Sequence, residues 1–221
     1  MMLKLEGPSR QPKSGGKAKY LVVLLHGYGS SGSDLISLAP YWADQLPDTE
    51  FLSPNAPFPC EINPYGYQWF GFEDRAPDML LGATRSAAGI LDAFLDDELK
   101  TRGLDDRNLA LVGFSQGTMM SLHVGPRRAV APAAIVGYSG SLIAPENLAA
   151  EKRSKPPVLL VHGTFDPVVP FASLAEAAVA LKAAGIPVVT EARPGLVHSI
   201  DPVGLQMGGL FLRDHFAKID A

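Results

Sequence analysis

From Tyr20 to the end of the chain, short apolar runs alternate with longer stretches of helical periodicity, and few folds accommodate that pattern. The expected strands are Tyr20–Leu25, Glu50–Ser53, Asn108–Phe114, Ala133–Gly137, Val158–His162 and Pro187–Ala192. Most are apolar at consecutive positions, which suits strands covered on both faces of a parallel sheet. Helices are expected over Ser33–Gln45, Pro77–Thr101, Gln116–Val124, Phe171–Ala184 and Pro202–Ala217. In the longest, Leu80, Leu81, Ala87, Ala88, Leu91, Leu95 and Leu99 mostly follow helical spacing, and Gly103 supplies a stop. The pattern predicts an α/β fold, a mostly parallel, doubly wound sheet flanked by helices. No internal repeat or linker divides it. Residues 1–19, broken by Pro8, Pro12, Gly15 and Gly16, read as a lead-in, and residues 20–221 as one domain.

Composition narrows the function classes. A formal charge of −4 is the wrong sign for a general binder of nucleic acid or anionic membrane. One cysteine, Cys60, excludes an intrachain disulfide framework and any multi-thiolate metal site. The five histidines are scattered, so no metal site is expected. Met1 to Arg10 hold no apolar stretch long enough to lead one to expect a signal peptide, and no run approaches the roughly 18 apolar residues of a membrane span. The expectation is a soluble cytoplasmic protein without a membrane anchor.

Residues 54–77 break the alternation. They hold five prolines, and six of the chain's 18 aromatics fall between Phe58 and Phe72. Long loops are usually functional or disordered, and the aromatic density argues against disorder.

Gly113-Phe114-Ser115-Gln116-Gly117 follows one apolar run and precedes a helical stretch. It matches G-x-S-x-G, in which a serine sits on a sharp strand-to-helix turn and small neighbours let the two elements approach. A serine hydroxyl needs a histidine to remove its proton and an acid to orient that histidine. In chain order, Asp166 and His198 are the best partners, each just beyond the carboxyl end of an expected strand, where such sheets build their sites. Asp201 is the competing acid, near His198 in sequence. His26 precedes the serine and His162 precedes Asp166, while His123 and His215 fall within helices.

Stabilising a developing oxyanion requires backbone N–H donors. The amide of Gln116, following the nucleophile, is one; the loop His26-Gly27-Tyr28-Gly29-Ser30-Ser31-Gly32 offers the other, at Tyr28. The same loop spells G-x-G-x-x-G through Gly27, Gly29 and Gly32, a rival dinucleotide-binding reading. That reading wants an acid at the end of the second strand, whereas Glu50 begins it. An inactive binding module is a third class, because fold alone does not guarantee activity.

Leu25-His26-Gly27-Tyr28-Gly29, Ser53-Pro54-Asn55-Ala56-Pro57, Gln68-Trp69-Phe70, Gly113-Phe114-Ser115-Gln116-Gly117, His162-Gly163, Asp166-Pro167-Val168-Val169-Pro170 and His198 occur in that order. The series resembles the phospholipase/carboxylesterase family of α/β-hydrolases, which includes bacterial carboxylesterases and acyl-protein thioesterases. The resemblance implies an α/β-hydrolase fold without a large cap domain, no cofactor, and hydrolysis of short- to medium-chain acyl esters, with thioesters or lysophospholipids as alternatives. It implies Ser115, Asp166 and His198 as the triad, and the amides of Tyr28 and Gln116 as oxyanion donors. Trp69 and Phe70, with Phe72 from the same aromatic cluster, would form a substrate pocket. Many relatives carry leucine where this chain has Tyr28, which keeps the backbone donor but alters the pocket rim. The implied partner is a small-molecule ester, and a homodimer is compatible with the sequence.

Overall fold

The computed structural model describes residues 4–74 and 76–219. In chain order the elements are β1 Ser9–Arg10, β2 Tyr20–Leu25, α1 Gly32–Leu35, α2 Ala39–Trp42, β3 Thr49–Leu52, β4 Phe58–Pro59, β5 Tyr67–Gln68 and α3 Pro77–Arg102. There follow β6 Leu109–Phe114, α4 Gln116–Val124, β7 Ala134–Tyr138, α5 Pro145–Glu151, β8 Val158–Gly163, α6 Ala172–Ala183, β9 Val188–Arg193 and α7 Pro202–Phe216. Seven strands form one sheet in the order β1-β3-β2-β6-β7-β8-β9. Only β1 runs antiparallel within it.

Strands β2, β7 and β8 are buried at every position and β6 at all but Phe114, because helices cover both faces. Leu21, Val23 and Leu25 point into one core with α3, α4 and α6. Tyr20, Val22 and Leu24 point into the other, with Trp42 of α2 and Leu212 and Phe216 of α7. This is the expected α/β-hydrolase architecture, and no large cap interrupts the described residues.

Three local readings differ. The helix expected over Ser33–Gln45 is broken into α1, a 3₁₀ turn at Ile36–Leu38, and α2, with Pro40 removing an amide from the ladder. The lead-in is not uniformly loose: Ser9 and Arg10 pair with Leu52 and Phe51, and Leu5 is buried. Helix α5, which shows no strong periodicity, is started by Pro145 after Ala144 in a left-handed conformation.

His123, buried on α4, is pushed down from the 6.5 of a free imidazole to about 4, first by desolvation and then by the Arg127 charge. A depressed histidine contributes stability above the unfolded value, and this is lost as pH falls toward the folded one. The urea midpoint is therefore expected to fall between pH 6.5 and 4, with about 3 kcal/mol of the loss belonging to this residue. His123→Leu should flatten that dependence; an unchanged slope would show that another group causes it.

Candidate active site

Every residue of interest sits on a loop leaving the carboxyl end of a parallel strand: Tyr28 after β2, Ser115 after β6, Asp166 after β8 and His198 after β9. Strands β2 and β6 are neighbours, so the first two loops meet directly.

Ser115 forms the turn between β6 and α4 at φ 53° and ψ −114°, a conformation unfavourable for a non-glycine residue. Its amide donates to the Tyr138 carbonyl at 2.9 Å, fixing the turn. The flanking glycines are sterically required. A Cβ on Gly117 would lie 1.7 Å from the Leu25 carbonyl oxygen, and one on Gly113 would lie 2.3 Å from the Gly117 carbonyl carbon. Gly27 faces Ser115, its hypothetical Cβ 3.3 Å from Ser115 Cβ.

The loops after β8 and β9 are zipped together. Thr164 and Phe165 donate amides to the Arg193 and Leu196 carbonyls, each at 3.0 Å, and Gly195 donates to Thr164 Oγ1 at 2.9 Å. Gly163 permits the crossing, since a Cβ there would sit 2.2 Å from the Leu196 carbonyl oxygen. The result brings His198 Nδ1 to 2.7 Å from Asp166 Oδ2. The carboxylate can only accept, so Nδ1 carries the proton and Nε2 is left as a base. The His198 ring lies against that of Phe114, with centroids 4.8 Å apart, and is thereby held beside the serine turn.

Asp166 Oδ1 accepts the amides of Val168 and Val169 at 2.8 and 2.9 Å. Burial pushes its pKa up, but the bonds from His198, Val169 and Val168 outweigh it, and the net shift is down. It stays ionised at neutral pH. The competing acid, Asp201, is used elsewhere. Its Oδ1 caps α7 at Gly204 N (2.9 Å), and its Oδ2 accepts from Arg193 Nη2 (2.9 Å) and Nε (3.0 Å).

One contributor was passed over in the sequence. His162 is buried, its Nε2 donating to the Val169 carbonyl at 3.0 Å and lying 3.4 Å from Asp166 Oδ2. Its chain order before the acid set it aside, whereas the four-residue spacing to Asp166 is the signal that could have found it.

Around the serine, Tyr28 is half-buried and Gln116 fully buried. The Gln116 side chain accepts the Trp69 amide at 2.9 Å and donates to the Phe70 carbonyl at 2.7 Å. The aromatic segment divides accordingly. Trp69 has no exposed surface, and its indole N–H donates to the His26 carbonyl at 3.0 Å. It is a strut beneath the β2 loop and offers no open wall to a substrate. Phe70 is also buried, while Phe72 is half-buried against Tyr28 and Phe70.

The glycine loop does not take the form that a dinucleotide needs. It leads into the four-residue α1, too short to present a sustained helix dipole. Glu50 is paired with Arg102, at 2.6 Å from Oε1 to Nη2. Among the described residues no group of three or more histidine, cysteine or acidic side chains could hold a metal ion.

The model of the family described as Phospholipase/Carboxylesterase matches residues 11–216. The chain is similar to Acyl-protein thioesterase 1 of Schizosaccharomyces pombe, 35% identical over 67% of this chain and 69% of the relative. It is similar to Esterase YpfH of Escherichia coli, 27% identical over 90% of this chain and 82% of the relative. Among solved structures, esterase PE8 superposes with a TM-score of 0.91 at 46% identity, covering 96% of this chain and 99% of that one. The Bacillus cereus carboxylesterase, with a TM-score of 0.76 at 19% identity over 96% of this chain and 95% of its own, supports the fold alone. With nearly the whole chain matched, the protein belongs to the phospholipase/carboxylesterase family and is a hydrolase on an α/β-hydrolase fold.

Proposed function

We propose that the protein hydrolyses short- to medium-chain acyl esters through a covalent intermediate on Ser115. The observation that carries this reading is the 2.7 Å contact between Asp166 and His198, whose ring packs beside the strained Ser115 turn. Ser115 Oγ attacks the ester carbonyl as its proton passes to His198 Nε2, and the carbonyl oxygen becomes an oxyanion facing the amides of Tyr28 and Gln116. Collapse expels the alcohol, which takes the proton from His198. Water then attacks the acyl-enzyme, again giving a proton to His198, and the carboxylic acid leaves as Ser115 regains its hydrogen. Asp166 keeps the histidine in the required tautomer and stabilises the imidazolium. No step calls for a metal or cofactor.

The same groups would cleave a thioester, and similarity to Acyl-protein thioesterase 1 supports testing that class. No helix among the described residues is long and apolar enough to cross a membrane, compatible with a small ester met in the cytoplasm. A matched series of esters and thioesters from acetyl to palmitoyl tests the reading. The expected maximum of kcat/KM lies among the shorter esters. Phe72→Ala is expected to shift it toward longer chains by opening the rim beside Tyr28. A palmitoyl thioester maximum would replace the short-chain reading, and an unmoved optimum would remove Phe72 from the pocket.

A further inference from the structure

The segment between β3 and α3 grips the loop after β2 at most of its polar groups. Ala56 N–H donates to His26 Nε2 at 2.9 Å and the Trp69 indole donates to the His26 carbonyl. Gly29 N–H donates to the Tyr67 carbonyl at 2.9 Å, Tyr67 N–H to the Ser30 carbonyl at 2.8 Å, and Asn63 Nδ2 to the Gly29 carbonyl at 2.7 Å. The approach is close enough that a Cβ on Gly66 would lie 2.1 Å from the Gly29 carbonyl oxygen. Both flanks of Tyr28 are thus fixed through backbone groups.

Tyr28 itself is held through its side chain. Its hydroxyl donates to Glu61 Oε2 at 2.8 Å, and its ring tilts against Phe72 with centroids 5.1 Å apart. Glu61 is in turn fixed by Gln68, whose Nε2 donates to Oε1 at 2.8 Å and whose Oε1 accepts the Glu61 amide at 2.9 Å. Desolvation and the bond to Glu61 raise the phenol above its ordinary pKa, so it remains a donor. On the far side, the Gln116 side chain grips Trp69 and Phe70 of the same segment. The two proposed oxyanion donors are therefore tied to one body.

We propose that Glu61 is a positioning residue for the oxyanion donor: by holding the Tyr28 phenol it sets the direction of the Tyr28 amide toward the reacting carbonyl. This rests on the reading above, in which that amide faces the oxyanion. The Tyr28–Glu61 bond is exposed and so contributes little to global stability. Its effect lies in geometry, because oxyanion donors act within a narrow distance window and small displacements in an active site are costly to rate.

The test compares Tyr28→Phe, Glu61→Ala, Glu61→Gln and the Tyr28→Phe/Glu61→Ala double variant of the full chain on p-nitrophenyl butyrate, with thermal midpoints alongside. Each of the first two is expected to lower kcat roughly tenfold with KM changed by less than about twofold, since the lost alignment matters in the transition state. The double variant should fall no further than Glu61→Ala, because the two groups act as one unit. Glu61→Gln, which retains an oxygen for the phenol, should recover most of the loss. Unchanged kcat in Tyr28→Phe and Glu61→Ala, even with lowered thermal midpoints, would overturn the proposal, as would additive losses in the double variant. Ser115→Ala is assayed in parallel: substantial activity there would refute the serine mechanism itself. An inactive Ser115→Ala beside fully active Tyr28→Phe and Glu61→Ala would refute only the role of Glu61.

Discussion

Replacing Ser115 with alanine is expected to lower kcat for a p-nitrophenyl ester by about 10⁴- to 10⁶-fold while leaving KM nearly unchanged. The split follows from what the residue does. In the proposed mechanism its Oγ forms a bond in the transition state but contributes little to holding the ground-state ester, so its loss falls on kcat. Some catalysis over water should survive, because the proposed backbone donors at Tyr28 and Gln116 belong to loops that do not depend on the hydroxyl. Gly113, Gly117 and the Tyr138 carbonyl hold the turn independently, so the variant should fold. Retention of most of the activity would mean that the nucleophile lies elsewhere.

The second large effect separates two aspartates. Asp166→Asn should lower kcat by about 10⁴-fold, the scale associated with losing the acid that fixes the histidine tautomer. Asparagine can still accept the Val168 and Val169 amides at one oxygen. Toward His198 it would present an amide, or an uncharged oxygen unable to stabilise the imidazolium. Asp201→Asn should cost less than about fivefold, since asparagine still caps a helix and an ion pair near the surface is worth little. The Arg193 clasp across the base of the His198 loop would loosen but not open. The reverse ranking would assign the acid role to Asp201.

Much of this site was legible in the chain because its constraints are local. The G-x-S-x-G spacing reports a steric requirement among Gly113, Gly117 and Leu25, and apolar strands announced where the loops must emerge. Asp166 could be preferred over Asp201 because a triad acid should come from a separate strand end, and the zipped β8 and β9 loops supply that geometry. Less legible were contacts between segments far apart in sequence. Aromatic crowding marked Trp69 as important, yet its complete burial and its bond to His26 follow from how two loops meet. Glu61 carried no motif at all; only the fold brings its carboxylate to Tyr28. Breaks such as the one before Pro40 were missed because apolar periodicity continued across a residue that cannot sustain the helical ladder.

Covalent labelling tests whether Ser115 is an activated nucleophile. The full chain is treated with a fluorophosphonate, digested, and the adduct located by mass spectrometry. Stoichiometric phosphonylation of Ser115 is expected in parallel with loss of esterase activity, and no labelling of Ser115→Ala. Inactivation with the adduct on another residue, or full activity after Ser115 is modified, would mean that Ser115 is not the nucleophile.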